Sequence, residues 1–353
     1  MSAAITCARS NSGATEPCFT PALMRLAQCL LPTRWRRFDN SVSASRNRRM
    51  ADDSFFTLAD LRAWSRTGTW LAVVGHPIKH SLSPTMHNAA LAQLAASDPR
   101  LADWRYTRFD IDPVDLPEAL TLFREKRFRG LNLTVPHKVI AFDRVADIDP
   151  AAQPIGAINT LLLTDAGWRG FNTDSYGVAS ALHADLAVTL PGAHVVLLGA
   201  GGAARGAAVE FLRQGVASLW IANRTRANLD TLLADLRPLV GVSALHGFSP
   251  TEIPADVPTG AVVVNATSAG LRADDPAPID LSLLPRPRAV FDMIYNPPRT
   301  PLLRQAEALG LQHAHGLSML AYQGARALEI WSGIPAARTA PTMLVAARAV
   351  LGF

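Results

Sequence analysis

Lysine is scarce in this chain: Lys79, Lys126 and Lys138 stand against 31 arginines. Arginine stays protonated under ordinary conditions, whereas lysine can give up and recover a proton. A lysine at a strand end is therefore a candidate for acid–base work that arginine cannot do. Lys138 has that setting. It follows Asn132-Leu133-Thr134-Val135-Pro136-His137, where alternating polar and apolar residues put Asn132 and Thr134 on one face of a strand end. The plain alternative is a single surface lysine. Polar residues recur in other turns of the same half. His76-Pro77-Ile78-Lys79-His80-Ser81-Leu82-Ser83-Pro84 follows an apolar run, and two serines on such a turn suit a carboxylate or hydroxyl ligand. Equally, Ser83 before Pro84 reads as an ordinary helix cap. Asn159 in Gly156-Ala157-Ile158-Asn159-Thr160 and Asp174 in Gly170-Phe171-Asn172-Thr173-Asp174 come next. Asp174 stands where the first half gives way to the second, the expected place of a cleft, unless it too is only a helix cap.

A second kind of chemistry is carried by small residues. The run Val195-Val196-Leu197-Leu198 leads into Gly199-Ala200-Gly201-Gly202-Ala203-Ala204-Arg205-Gly206, which fits G-x-G-x-x-[GA] through Gly199, Gly201 and Ala204. The first glycine allows a tight turn, the second lets backbone amides approach a pyrophosphate, and the small third residue lets a helix pack on the strand. With a strand before it and a helix after it, the motif predicts dinucleotide binding at a helix N-terminus. About twenty residues on, where an NAD site would place Asp or Glu, stand Asn223-Arg224-Thr225-Arg226. A carboxylate there would repel a 2′-phosphate. Two guanidiniums would bind it by charge-assisted hydrogen bonds, which argues for NADP over NAD; two solvated surface arginines are the alternative.

The elements that must position these groups alternate. Strands are expected over 70–75, 106–111 and 130–133, with helices over 83–96 and 116–126. A second series begins after Pro191-Gly192, with strands over 194–198, 219–222, 261–265 and 289–292 and a helix over 207–214 stopped by Gly215. Such alternation predicts an α/β protein with parallel strands and crossover helices. From Leu317 the chain reads as helical to its end, and these helices are expected to pack back on the first half.

Charge and cysteine narrow the function further. The net charge is +5, but residues 1–50 hold eight arginines, two acids and all three cysteines, Cys7, Cys18 and Cys29. The remaining 303 residues carry 26 basic and 27 acidic groups and no thiol. A nucleic-acid stripe, a disulfide framework, a cysteine metal site and a cysteine nucleophile are thereby excluded from the body. Residues 1–50 read as a false start before Met50, a disordered basic extension or an organelle transit peptide. The location expected for the body is the cytoplasm, with organelle import through residues 1–50 the alternative.

Taken together, the blocks resemble the shikimate dehydrogenase family over about residues 68–335. The resemblance rests on Ser81-Leu82-Ser83-Pro84, 132–138, 156–160, Asn172-Thr173-Asp174, 199–206, Asn223-Arg224-Thr225, Asn265-Ala266-Thr267-Ser268, Asp292-Met293-Ile294-Tyr295 and 316–323, all in order. It implies NADPH-dependent reduction of 3-dehydroshikimate to shikimate, in the biosynthesis of chorismate and aromatic amino acids, with no metal. It further implies an α/β substrate-binding domain over 51–173, a Rossmann-type NADP domain over 174–315, and C-terminal helices over 316–353 returning to the first domain. Ser81, Ser83, Asn132, Thr134, Asn159, Asp174 and Gln323 would hold the substrate, with Tyr295 close by, and Lys138 with Asp174 would form the catalytic pair. Gly199, Ala200, Gly201, Gly202, Ala203, Ala204, Asn223, Arg224, Thr225 and Arg226 would hold NADP, with Thr267, Met293 and Gly316 near the nicotinamide. The chain departs from the pattern where Arg226 follows Arg224 sooner than usual and where Ser318 replaces a common glycine. The competing readings are an NAD-dependent quinate/shikimate dehydrogenase and a noncatalytic NADP-binding module. The oligomeric state is left open, a homodimer included.

Overall fold

Short apolar runs buried throughout, 195–198, 262–265 and 289–292 among them, set the architecture. The computed structural model describes residues 55–145, 147–272 and 274–352. The expectations for residues 1–50, cysteines included, lie outside the described residues. The first half runs α1 (Leu58–Arg62), β1 (Thr69–Gly75), α2 (Ser83–Ala95), β2 (Trp104–Asp110), α3 (Leu116–Glu125), β3 (Gly130–Leu133), α4 (His137–Ile140), β4 (Asp147–Ile148), β5 (Thr160–Thr164) and β6 (Gly167–Phe171). Then follow α5 (Asp174–Leu186), β7 (His194–Leu198), α6 (Gly202–Arg213), β8 (Ser218–Ala222), α7 (Arg226–Leu236), β9 (Ala244–Phe248), β10 (Val262–Asn265), β11 (Ala289–Asp292), α8 (Pro301–Ala308) and β12 (Gln312–His315). The last helices are α9 (Leu317–Ser332) and α10 (Ala340–Leu351).

The strands form two six-stranded sheets, in the orders β2-β1-β3-β5-β6-β4 and β12-β11-β10-β7-β8-β9. All pairings of the second sheet are parallel, as the alternation of strands and helices predicts. The first sheet corrects the expectation of parallel strands alone. β5 runs antiparallel to both β3 and β6. Its cause is local: Thr164 donates its hydroxyl to the Gly167 carbonyl at 2.7 Å and Gly167 adopts φ 115°, so Asp165-Ala166 closes a hairpin with no length for a crossover.

The helix expected over 207–214 begins five residues earlier, at Gly202, directly on the glycine-rich turn. Two glycines with poor helix propensity disguise that start, and packing on β7 overrides them. The C-terminal helices do return to the first half. One apolar core joins Leu71, Val73, Met86 and Leu91 to Leu317, Ala321, Trp331 and Met343. The contact is close enough that a Cβ on Gly130 would lie 2.1 Å from Trp331 Nε1, and that nitrogen donates to the Leu161 carbonyl at 2.9 Å. The strand bearing Asn132 is thus locked at its start to the helix bearing Gln323. Among the described residues no helix is long and apolar enough to cross a membrane.

Candidate active site

The carboxyl ends of β1 and β3 open into a cavity of about 400 Å³. After β1 the chain turns through residues 76–82, and a buried arginine of β2 holds that turn from beneath. Arg108 donates from its guanidinium to the carbonyls of Lys79 and Ser81. The Ser81 hydroxyl in turn accepts the Ser83 amide at 3.3 Å. Ser83 is therefore not the cap of α2. Leu82 occupies that position, with no side-chain hydrogen bond, and Ser83 lies in the first turn with its side chain on the cavity wall.

Asn132 and Thr134 reach the same cavity from β3. Asn132 donates to the Asn159 carbonyl at 3.2 Å and to Thr160 Oγ1 at 3.0 Å, and accepts from the buried Tyr106 hydroxyl at 2.7 Å. Both of its amide protons are used, so it meets a ligand chiefly as an acceptor. Asn159 is engaged more fully still. Its Oδ1 accepts the Thr173 amide at 2.8 Å, and its Nδ2 donates to Thr173 Oγ1 at 3.0 Å and Asp174 Oδ1 at 2.9 Å. The other carboxylate oxygen, Asp174 Oδ2, accepts from Lys138 Nζ at 2.6 Å. Asp174 opens α5, where the helix dipole favours a carboxylate, but it is no cap: Thr173 holds that position and the Asp174 side chain turns to Lys138 and Asn159. Lys138 and Asp174 keep 29% and 27% of their side chains exposed, so the pair is open to a ligand in the cavity and not sealed in the core.

Tyr295, from the turn after β11, and Gln323, from α9, complete the wall. Burial raises the Tyr295 phenol, which keeps it a hydrogen-bond donor. The nine residues expected to hold substrate therefore line one cavity, whose size suits a small molecule.

The glycine-rich turn adjoins it. Gly199 adopts φ 111° and a Cβ there would meet Thr267 Cγ2 at 2.9 Å, so this turn requires glycine. Gly201 and Gly202 have nothing within 4 Å of where a Cβ would stand. Gly201 caps α6 without any side-chain hydrogen bond, which leaves the first amides of a twelve-residue helix directed at that open space. Ala204 is fully buried against the strand, the packing role the motif assigns it. β8 lies beside β7 with Leu198 opposite Ala222, so Asn223-Arg224-Thr225-Arg226 emerges next to the turn. Arg224 is exposed and makes no hydrogen bond or ion pair with the described residues. Arg226 differs, being tied to Asp230 at 2.9 Å. A glycine cradle, free helix amides and an uncommitted guanidinium beside the ribose position fit a dinucleotide bearing an extra phosphate.

A second cavity, about 490 Å³, is lined both by Lys138 and Asp174 and by Gly202, Ala203 and Gly206, which makes the two regions one cleft. Met293 lines both cavities, and Gly316 lines the first. A Cβ on Gly316 would lie 2.1 Å from the Met293 carbonyl oxygen, so glycine is required there by close approach. Thr267 lies on a neighbouring cavity of about 380 Å³ with Ala203 and Met293. It is held by a network that sequence reasoning missed. Thr267 donates its amide and hydroxyl to Asn265 Oδ1, and Asn265 Nδ2 donates to Asp292 Oδ1 at 2.9 Å. Asp292 also accepts from Thr300 Oγ1 at 2.6 Å and the Ile294 amide at 3.0 Å. Burial pushes the Asp292 carboxyl up, against the pull of those bonds. The available signal was a polar residue closing each of the apolar runs 262–265 and 289–292. Tyr106 and Arg108 were missed as well.

A model of the shikimate dehydrogenase substrate binding domain matches residues 73–161, and one of the shikimate 5'-dehydrogenase C-terminal domain matches residues 316–340. The shikimate dehydrogenase (NADP(+)) of Methanocella arvoryzae is 40% identical over 266 residues, covering 75% of this chain and 94% of that relative. The chain belongs to the shikimate dehydrogenase family. Among solved structures, the Thermus thermophilus shikimate 5-dehydrogenase, in complex with NADP(H) and shikimate, is 37% identical with a TM-score of 0.67, over 80% of this chain and 99% of that one. The 5-ketofructose reductase of Gluconobacter sp. is 30% identical with a TM-score of 0.68, over 79% and 99%. The same fold thus also carries a reductase named for a different ketone.

Proposed function

We propose that this chain catalyses the reversible NADPH-dependent reduction of 3-dehydroshikimate to shikimate, an oxidoreductase step of aromatic amino acid biosynthesis. One observation carries the reading: the partly exposed Lys138–Asp174 pair stands between a cavity lined by hydroxyl and amide side chains and a glycine-rich turn suited to a dinucleotide. When bound, the reduced nicotinamide supplies a hydride to the keto carbon. Lys138 meets the charge that then develops on the ketone oxygen and delivers the proton from Nζ. Asp174 holds that ammonium and orients a neighbouring substrate hydroxyl, while Asn159 fixes Asp174 from the other side. Ser81 and Ser83 receive the substrate carboxylate, and Thr134, Asn132, Gln323 and Tyr295 receive its hydroxyls. Gly199 through Ala204 take the pyrophosphate, Arg224 takes the 2′-phosphate with Asn223, Thr225 and Arg226 around it, and Thr267, Met293 and Gly316 border the nicotinamide.

On this reading residues 51–173 are the substrate domain, 174–315 the NADP domain and 316–353 the returning helices. A cytoplasmic location, where NADPH is drawn for biosynthesis, and a homodimer are the matching expectations, the second checked by light scattering. The test is a spectrophotometric assay with shikimate and NADP⁺ beside NAD⁺, repeated with quinate and with 5-ketofructose. Shikimate with NADP⁺ should exceed every other pairing by about tenfold or more, equivalent to roughly 1.4 kcal/mol. Equal rates with NAD⁺ or quinate would overturn the assignment.

A further inference from the structure

At the opposite end of β3 from the substrate groups, three arginines line one cavity. Arg124, Arg127 and Arg129 line a space of about 650 Å³ together with Thr69 and the β5–β6 hairpin at Gly167. Eight other arginines among the described residues are held by carboxylates. These three belong to the larger group that no carboxylate holds, and they stand out by lining one cavity together. The side chains of Arg124 and Arg127 make no hydrogen bond or ion pair with the described residues, and Arg129 spends its guanidinium on the carbonyls of Trp331 and Leu163, which hold it in place without neutralising it. Asp165, the one carboxylate on the wall, pairs with none of them.

Arg127 sits in a conformation that suits another residue. Its amide bonds to the Arg124 carbonyl and the Phe128 amide to the Phe123 carbonyl, the two bonds that end a helix in a left-handed residue. That residue is Arg127 at φ 57°, where glycine is the usual choice and a long side chain is disfavoured. The carboxyl end of α3 welcomes a cation at Arg124, and the helix-ending bonds set the left-handed backbone at residue 127, but neither calls for an arginine there. All three residues are exposed, and an oxyanion seated among them accepts from more than one fork at once.

We propose that this cavity is a binding site for the phosphoryl group of a small molecule, separate from the substrate and nucleotide sites. The volume is that of a small-ligand pocket. Thr69, whose hydroxyl has no partner among the described residues, lies within the wall as a further donor. Arg129 also joins the site to the rest of the fold: it donates to the Trp331 carbonyl at the end of α9 and leads into Gly130, Leu131 and Asn132. An anion seated there steadies the junction of β3 and α9.

The inference stands apart from the proposed reaction, and its test keeps the two distinguishable. The full chain, with NADP⁺ and shikimate present in excess, is titrated with inorganic phosphate and separately with ribose 5-phosphate, with sodium chloride matched in ionic strength as the control. At a hundredfold excess over Kd the melting temperature should rise by roughly 5 °C, and chloride should not reproduce it. The double variant Arg124→Ala/Arg127→Gly should lose that rise and bind at least tenfold more weakly by calorimetry, while its activity toward shikimate stays at the parental level. Tighter binding of ribose 5-phosphate identifies an ester as the occupant, and equal binding identifies free phosphate. A rise that survives in the double variant, or that vanishes instead in Arg224→Ala, would overturn the assignment; the latter would put the phosphate in the nucleotide cleft.

Discussion

The substrate cavity and the nucleotide cleft meet at Lys138 and Asp174 but are built on opposite principles. In the first, side chains satisfy one another: Tyr106 fixes Asn132, Asn132 bonds to the Asn159 carbonyl, Asn159 fixes Asp174, and Asp174 holds Lys138. In the second, the chain withholds side chains. Gly201 and Gly202 front open space, the first turn of α6 has no side-chain cap, and Arg224 has no partner within the described residues. A reacting group needs its position fixed before substrate arrives, so its neighbours are ordered in advance. A phosphate needs exposed donors, and any side chain that satisfied them internally would compete with it. The two halves should therefore fail differently when altered.

The largest effect is expected at the chemistry. Lys138→Ala should lower kcat by about 10³-fold, within the range of lost acid–base catalysis, and leave the Kd for NADP⁺ nearly unchanged by fluorescence titration. Next comes the packed support of the first region. His87 is fully buried, stacks on Tyr106 at 4.1 Å, and neither ring nitrogen has a hydrogen bond, so burial pushes it down to about 3. Its neutral form is the folded one. The stability it contributes is complete above the ordinary imidazole range near 6.5 and is lost as pH falls toward 3, at up to about 1.4 kcal/mol per pH unit. Denaturant titrations from pH 7 to pH 4 should show that loss in the parent and a flatter profile in His87→Leu; equal slopes would remove the prediction.

The nucleotide cleft should lose affinity and keep its fold. Gly201→Val adds side-chain atoms where nothing stands nearby, so its melting temperature should hold while NADP⁺ binding weakens by more than about tenfold. Arg224→Ala should reduce the preference for NADP⁺ over NAD⁺ by about tenfold, the share of one charge-assisted hydrogen bond. The smallest change is expected for Arg226→Ala, within about twofold, because Arg226 is already committed to Asp230 on an exposed helix face.

These contrasts also explain what the sequence made legible. Ser81, Asn132, Thr134, Lys138 and Asp174 are polar residues at the ends of apolar runs, where burial without a purpose would be unfavourable, and that oddity marks them. The glycine-rich turn is legible for the same reason in reverse. Tyr106 and Arg108 lie inside a strand of mixed polar and apolar residues, Trp104–Asp110, and only the tertiary structure brings them beneath Asn132 and Ser81. The early start of α6 was masked by Gly202, and the β5–β6 hairpin by a turn of two residues that carries no Asn-Gly or Gly-Gly pair. That Ser83 and Asp174 are not helix caps turned on the neighbouring residues, since Leu82 and Thr173 hold the cap positions.

The most direct test is a double-mutant cycle on Lys138 and Asp174, with kcat for shikimate oxidation by NADP⁺ measured for Lys138→Ala, Asp174→Ala and the double variant. If the two side chains act as one unit, the double variant falls no lower than the weaker single variant. If the two losses multiply, or if Lys138→Ala keeps the parental kcat, the pair is not the catalytic device.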